Sequence, residues 1–228
     1  MGGVKLAHGF KATVAGDIPF GAGLSSSAAL EVATALAVQA LYRCPLPPLQ
    51  VARICQAAEH DFVGTKCGLL DQISALFGWD RALVFTDFRS LLVEQAVVAG
   101  DACFVVADTH VKHALVDSAY NERRASCEQA AAYFARVLPH PVKALRDVSW
   151  EEFKRHAAGL DAVAARRAAH VIGENQRVLE GRRRLAAGDL KGFGALMYAS
   201  HESSRSHFEN SCPELDALVD AAKELSQV

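Results

Sequence analysis

The stretch Gly16-Asp-Ile-Pro-Phe-Gly-Ala-Gly-Leu-Ser-Ser-Ser-Ala-Ala-Leu-Glu31 places three glycines, one proline and three consecutive serines directly before a long apolar run. The residues that lead into it, His8 to Ile18, alternate apolar and polar side chains and predict a strand. Ser25 to Tyr42 predicts a helix that is apolar on nearly all sides and therefore buried. A strand, a glycine-rich loop and a helix in this order favour phosphate binding by backbone N–H groups and a helix N-terminus.

The order of residues in this loop excludes two familiar phosphate loops. Gly23 is followed by Leu24, where a P-loop requires Lys and then Ser or Thr, and Ser26 stands where a dinucleotide-binding fingerprint requires its third glycine. The loop also lacks the Gly-x-Ser-x-Gly order of a hydrolase nucleophile elbow. Three hydroxyls at the start of a helix suit an N-cap, and they equally suit ligands of a phosphate or its metal.

The composition is that of a globular chain with a substantial core. Of the 228 residues, 51% are hydrophobic, and 24 Lys and Arg are balanced by 26 Asp and Glu. This scattered, balanced charge excludes a strongly basic nucleic-acid surface. The longest apolar run, from Ala28 to Tyr42, is interrupted by polar residues and shorter than the roughly 20 residues that a membrane span needs. Six widely spaced cysteines without a Cys-x-x-Cys pair predict reduced thiols in the cytoplasm.

The rest of the chain predicts a mixed first half and a helical second half, with a boundary near Gly100-Asp101. Short helices are expected at Leu49 to Val63 and Asp71 to Phe77. Strands are expected at three runs, of which the first two pair with each other: Ala82 to Asp87, Leu91 to Val98, and the apolar, buried run Ala102 to Thr109. A helix from Ser118 to Leu138 opens the second half, which continues in pieces marked by Pro139, Pro141, Gly159, Gly188 and Pro213.

The glycine loop also carries a longer word, Pro-x-Gly-x-Gly-Leu-Ser-Ser-Ser-Ala, which resembles the phosphate-binding motif of the GHMP small-molecule kinases. Within that superfamily the chain is most similar to the galactokinases. Three further blocks carry the resemblance: Ala58-Glu-His-Asp-Phe-Val-Gly-Thr-Lys-Cys-Gly-Leu-Leu-Asp-Gln-Ile-Ser74, Asp108-Thr-His-Val-Lys-His-Ala-Leu-Val-Asp-Ser-Ala-Tyr-Asn-Glu-Arg-Arg124 and Ser211-Cys-Pro-Glu-Leu-Asp216. The blocks stand in the family's order, so the resemblance covers nearly the whole chain.

The resemblance implies an α+β GHMP kinase fold with two mixed α/β domains. Residues 1–99 would form part of an N-terminal domain like domain 2 of ribosomal protein S5, and residues 100–228 part of a largely helical, ferredoxin-like C-terminal domain. The family's Gly-Glu-His-Thr-Asp-Tyr and Gly-Gly-Gly-Phe-Gly-Gly motifs do not occur in the 228 residues. We therefore expect both domains to be incomplete, with apolar surface left open to self-association.

The activity that the resemblance implies is transfer of the ATP γ-phosphate to the anomeric hydroxyl of D-galactose, which begins galactose catabolism. Asp71 would be the catalytic carboxylate, and Glu59 and Ser26 would bind Mg²⁺. Gly68, Asp71 and Tyr120 would bind the sugar. The ATP phosphates would bind at Gly21, Gly23, Leu24, Ser25, Ser26 and Ser27. The expected partners are thus small molecules, and neither nucleic acid nor membrane is among them.

Taken without the resemblance, several of these residues allow other interpretations. Asp71 also suits the N-cap of the helix that follows it, and Glu59 a solvated helix residue. His60 beside Glu59, and the pair His110 and His113, suggest metal ligands only weakly. Alternative functions are a kinase of a related sugar such as N-acetylgalactosamine, or a non-catalytic relative that binds sugar or nucleotide. The joint presence of the loop serines with both acids favours an enzyme.

Overall fold

The computed structural model describes residues 7–19, 21–64, 67–98, 100, 102–111 and 116–225, with the side chains of 116–120 outside this description. The chain divides into two compact units, Met1–Val97 and Val98–Val228. Within the described residues the first unit is a small helical cluster with one hairpin, and the second is entirely helical. The structure is therefore a mixed α and β one, rich in helix and with a small sheet.

The helices of the first unit follow the predicted order. They are α1, Ser26–Tyr42; α2, Pro48–Ala58, extended by a π-helical turn at Glu59–Val63; and α3, Leu70–Phe77. Arg43 ends α1 in the left-handed region at φ 51°, and its N–H donates to the Gln39 carbonyl. Pro48 occupies the first position of α2, where its fixed φ suits the helix and its missing N–H is not needed.

The core of the first unit lies where α1, α2 and α3 pack together. Val32 of α1 and Val51 and Cys55 of α2 are buried there, with Leu76 of α3 packed against them. The prediction that α1 is buried on nearly all sides is wrong. Only Ala28 and Val32 of that helix are buried, because α2 and α3 cover one side and the described residues of this unit leave most of the other side open.

The predicted strand pair is confirmed as an antiparallel hairpin. Strands β1, Ala82–Asp87, and β2, Leu92–Val97, place Ala82 opposite Val97 and Asp87 opposite Leu92. The carboxylate of Asp87 accepts hydrogen bonds from the N–H groups of Arg89 and Ser90, at 2.8 and 3.0 Å. This side-chain turn explains why the chain reverses here without a glycine.

Two other predicted strands are wrong. Residues 8–18 and 102–109 form no strand in the structure, although their alternating or apolar patterns favour one. A strand requires a hydrogen-bonded neighbour, and the described residues offer no paired strand except β1 and β2. The run at 102–109 was also expected to be buried, whereas the side chain of Val105 is 85% exposed.

The second unit is built from five α-helices within its described residues. They are α4, Val116–Val137; α5, Trp150–His156; α6, Ala162–Ala186; α7, Leu190–Ser203; and α8, Pro213–Lys223. Short 3-10 turns stand at Leu145–Asp147 and Ala157–Gly159, and a π-helical turn at Ser204–Phe208 follows α7. The core lies between α4, α5 and α6, where Phe134, Phe153 and Ile172 are buried together.

The predicted breaks between these helices are confirmed, and local chemistry explains them. The carboxylate of Asp161 caps α6 by accepting from the N–H groups of Val163 and Ala164, each at 3.0 Å. Gly188 adopts φ +70° between α6 and α7, a conformation that suits glycine. Pro213 takes the first position of α8.

Two further observations concern membrane spans and the cysteines. None of the helices in the described residues is both long and apolar enough to cross a membrane. All six cysteines are free thiols, as predicted.

Candidate active site

The glycine loop begins the candidate site. Gly21 and Gly23 adopt φ +77° and +72°, left-handed conformations in which a Cβ would be strained. Ser25 holds the N-cap position of α1, also left-handed at φ 53°, and its side chain makes no capping hydrogen bond. The capping interpretation is therefore wrong for Ser25. The first N–H groups of α1 are left for a ligand, as an anion site at a helix N-terminus requires.

Glu59 is the second element of the site, and it is not a solvated helix residue. Its side chain is buried, with the residue only 7% exposed, in the π-helical turn that extends α2. The carboxyl group of Glu59 acts on that of Glu31 in α1 and adds to the rise in the pKa of Glu31. Burying a carboxylate is costly unless a proton, a hydrogen-bond donor or a cation compensates its charge.

Glu31 is a site residue that the sequence analysis missed. Burial raises its pKa above the ordinary value; the hydrogen bond from Gln72 opposes this shift, and the nearby carboxyl group of Glu59 adds to it. Two carboxyl groups in contact cannot both stay ionised without a cation or a shared proton. The sequence signal was Glu31 itself, the one acid in a largely apolar helix. It stands four residues after Ser27 and therefore lies on the same face of the helix.

Gln72 completes this buried group. It lies in α3 and is 1% exposed, and its Nε2 donates to Oε2 of Glu31 at 3.5 Å. Its Oε1 is buried and has no hydrogen-bond partner among the described residues. The side chains of Glu31, Glu59 and Gln72, which we call the carboxyl cluster, join α1, α3 and the π-helical turn.

Asp71 directly precedes Gln72 and lies in the first turn of α3. The N-cap position of that helix is Leu69, without a side-chain capping bond, so the interpretation of Asp71 as an N-cap is wrong. A carboxylate in the first turn is favoured by the partial positive charge of the helix N-terminus. Asp71 is half-buried and thus accessible to a ligand.

The segment that leads into α3 is held by two side chains of the preceding helical segment. The carbonyl oxygen of Cys67 accepts from Nε2 of Gln56 at 3.1 Å and lies 2.8 Å from Nε2 of His60. A carbonyl can only accept, so His60 must carry a hydrogen on Nε2. His60 therefore anchors a loop, and the described residues contain no cluster of three or more metal-ligating side chains.

The thiol of Cys67 links the two acids of the site. Burial raises its pKa above the ordinary value, and the charges of Glu59 and Asp71 raise it further, whereas a hydrogen bond with Gln72 opposes them. The thiol thus lies within electrostatic reach of both carboxylates.

The remaining residues considered in the sequence analysis are Gly68, Tyr120, His110 and His113. Gly68 is exposed, and a Cβ built on it would meet nothing within 4 Å, which leaves room for a ligand to approach the backbone. Tyr120 belongs to α4 in the second unit, and its side chain lies outside the described residues. His110 pairs with Asp108 at 3.1 Å, while His113 lies outside the described residues.

The donor set of the site fits a small, hard divalent cation. Mg²⁺ prefers oxygen ligands and binds through one or two carboxylates together with phosphate oxygens and water. Glu59 supplies a buried carboxylate beside a second carboxyl group, and Ser26 and Ser27 supply hydroxyls at the start of the helix that carries Glu31. Such a site needs oxygen ligands from a nucleotide to be complete.

Comparison with known proteins shows what the chain is similar to. Residues 2–79 match the sequence profile of the GHMP kinases N terminal domain. The chain is 42% identical to a galactokinase of Mannheimia succiniciproducens over 97% of its own length and 57% of that protein. It is 43% identical to a galactokinase of Pasteurella multocida over 92% of its own length and 54% of that protein.

A solved structure gives the same result for the fold. Lactococcus lactis galactokinase, solved in complex with galactose, matches with a TM-score of 0.82 and 31% identity, over 92% of this chain and 54% of that one. The chain is therefore similar to the GHMP kinases, and the fold expected from the sequence motifs is confirmed. Within that superfamily it is similar to the galactokinases, and it spans about half the length of the curated relatives that it matches.

Proposed function

We propose that the chain carries the phosphate loop and catalytic carboxylate of a galactokinase, which transfers the γ-phosphate of ATP to the anomeric hydroxyl of D-galactose. The observation that carries this proposal is the left-handed glycine loop before the uncapped start of α1, with the buried Glu59 and the half-buried Asp71 in the same unit. The similarity to galactokinases over nearly all of the chain supports the choice of sugar.

The loop would bind the triphosphate. The left-handed conformations of Gly21 and Gly23 and the uncapped start of α1 leave backbone N–H groups for the phosphate oxygens, together with the hydroxyls of Ser25, Ser26 and Ser27. Glu59 and Ser26 would hold Mg²⁺. When bound, that ion neutralises the charge on the phosphates.

Asp71 would act on the sugar. Its half-buried carboxylate at the start of α3 can orient the attacking hydroxyl and accept its proton as the new O–P bond forms. In phosphoryl transfer this positioning supplies much of the catalysis. Gly68 leaves space for the sugar against the backbone, and Tyr120 stays a predicted sugar-binding residue.

The proposal also covers the partners, the location, the domains and the association of the chain. ATP, Mg²⁺ and galactose would be the small-molecule partners, and the free cysteines suit the reducing environment of the cytoplasm. Residues 1–99 would belong to the N-terminal domain and residues 100–228 to the C-terminal domain. We also propose that two copies of this chain associate through the exposed apolar runs at 8–18 and 102–109, which have no strand partner among the described residues.

The experiment that tests the function is sugar-dependent release of ADP from Mg²⁺ and ATP by the 228-residue chain. We expect release with galactose, and at least a 100-fold lower rate in Asp71→Asn, since general-base catalysis contributes about 10² to 10⁴ in rate. The variant Asp61→Asn is the matched control, because Asp61 is an exposed acid of the π-helical turn. Preference for N-acetylgalactosamine would point to the related kinase.

Two results would contradict the proposal for this chain. ATP binding without ADP release, from a folded chain and with every sugar tried, would leave a nucleotide-binding module. Equal rates in the original chain and in Asp71→Asn would exclude the assigned carboxylate.

A further inference from the structure

The carboxyl cluster has a feature that the proposed reaction does not require. Of the two acids in the cluster only Glu59 is assigned to the cation, yet its carboxyl group acts on that of Glu31, which accepts a hydrogen bond from Gln72. These contacts join residues far apart in sequence, 41 positions for Glu31 and Gln72. Two carboxyl groups held near each other repel when both are ionised, so packing alone does not account for this pair.

Gln72 is a firm support for this pair. It is 1% exposed, and the next residue, Ile73, is completely buried against the helices of the first unit. Its amide therefore has little freedom to move away from Glu31. Because Gln72 follows Asp71 in the first turn of α3, one short helix carries both the proposed catalytic carboxylate and the support of the proposed cation ligand.

The amide oxygen of Gln72 adds a second, independent observation. A buried carbonyl oxygen without a hydrogen bond is costly, and Oε1 of Gln72 has no partner among the described residues. Protein-bound Mg²⁺ usually keeps several water ligands. Such a water can donate a hydrogen bond to this oxygen.

We propose that Glu31 and Gln72 are positioning residues for the cation: Gln72 fixes Glu31, and Glu31 fixes the carboxylate of Glu59 that binds the cation. This inference rests on the proposed function, because it assumes that Glu59 binds the cation together with ATP. Side chains that orient metal ligands in this way typically contribute 10- to 100-fold to metal affinity.

The test is the affinity of the 228-residue chain for ATP, measured by calorimetry with Mg²⁺ and again with EDTA. We define the cation effect as the ratio of the two dissociation constants. We expect Glu31→Ala and Gln72→Leu to reduce it about tenfold or more, with the affinity in EDTA unchanged. Glu31→Gln should stay closer to the original chain, because its amide can still donate to Glu59.

Two controls separate positioning from stability. Glu59→Ala should abolish the cation effect. Gln39→Leu removes a hydrogen bond at the far end of α1, from the N–H of Leu46 to Oε1 of Gln39 at 2.7 Å. This variant should lower the melting temperature and leave the cation effect unchanged. If Glu31→Ala fails to fold, Glu31→Gln and Gln72→Leu give the same comparison, with Mn²⁺ binding followed by electron paramagnetic resonance.

The outcomes distinguish the inference from the function on which it rests. An unchanged cation effect in Glu31→Ala and Gln72→Leu, with the effect lost in Glu59→Ala, overturns the inference alone. So does an equal loss of ATP affinity with Mg²⁺ and with EDTA, which marks a purely structural role. A folded original chain that binds no ATP overturns the proposed function and this inference together.

Discussion

Single residues set the chemistry of the first unit, and the sequence predicted them unevenly. Asp71 and Glu59 were assigned from motif blocks, and their roles stay predictions. Glu31 and the role of Gln72 were not predicted, because their contact depends on how α1 crosses α3, 41 residues later in the chain. Motifs record residues that lie close together in sequence, whereas the carboxyl cluster forms only after packing.

The first prediction concerns the backbone of the phosphate loop. Gly23 adopts φ +72° in open space, so Gly23→Ala adds backbone strain and no clash. Holding alanine in the left-handed conformation costs about 1 to 2 kcal/mol. We therefore expect Gly23→Ala to bind Mg²⁺-ATP about tenfold more weakly in calorimetry. Gly16→Ala is the matched control, because Gly16 is also in open space but outside the left-handed region. Equal losses in both variants would contradict this role for the loop.

At the scale of helices and strands, the sequence predicted correctly those features that nearby residues determine. The helix breaks at Gly159, Gly188 and Pro213 and the hairpin β1–β2 were all predicted. The strands expected at 8–18 and 102–109 failed because pairing is a long-range property, which alternation in one segment cannot supply.

Two glycines of the second unit should respond oppositely to alanine. A Cβ on Gly159 would collide with the ring and hydroxyl of Tyr133, whose Oη donates to the His156 carbonyl at 2.9 Å. We expect Gly159→Ala to lower the free energy of unfolding in urea by about 1 to 3 kcal/mol. Gly194 lies inside α7 with nothing within 4 Å of a built Cβ. Gly194→Ala should therefore stabilise the chain by up to about 1 kcal/mol, and the reverse order of the two would refute this interpretation.

The start of α5 should give the second unit a measurable dependence of stability on pH. One oxygen of Glu152 accepts from the N–H and hydroxyl of Ser149, and the other lies 2.8 Å from Nε2 of His140. Hydrogen bonds from the Ser149 backbone and hydroxyl, followed by that from His140, lower the pKa of Glu152 from 4.5 to about 2. The hydrogen bond to Glu152 is the largest cause that raises the pKa of His140 above 6.5.

The signs of the two shifts define the expected profile. The contribution of Glu152 is complete above pH 4.5 and is lost as the pH falls towards 2. The contribution of His140 is complete below pH 6.5 and is lost as the pH rises through its raised pKa. The melting temperatures of the original chain and of Glu152→Gln should therefore differ most between pH 4.5 and 6.5. A difference that is constant from pH 2 to 9 would contradict the pairing.

At the scale of the whole molecule, the chain forms two compact units, each with its own core, and spans about half the length of its curated relatives. The sequence predicted a change from mixed to mostly helical structure near residue 100, since helical patterns prevail from Ser118 onward. Its family blocks gave the fold, which composition and periodicity alone left at a mixed α and β chain. The exposed run at 102–109 was misread as a buried strand, because its pattern reports apolar character and not the presence of a covering surface.

The exposed run at 102–109 leads to a prediction about assembly. Val105 is 85% exposed and lies in backbone without a strand partner among the described residues. We expect the chain to associate with a second copy in a concentration-dependent way in sedimentation velocity, and Val105→Lys to weaken that association, because a buried lysine would lose its hydration. Val178→Lys, at an exposed position in α6, is the control. A monomer at all concentrations would contradict the proposed association.

The most direct test of the central claim is phosphorus NMR of the 228-residue chain with ATP, Mg²⁺ and galactose. Because Asp71 is proposed to activate the anomeric hydroxyl, the account predicts that ADP and galactose 1-phosphate appear in equal amounts and that neither forms with Asp71→Asn. This measurement separates transfer to the sugar from simple hydrolysis of ATP. A spectrum in which inorganic phosphate accompanies ADP, or in which ATP persists unchanged with a folded chain, would contradict the account.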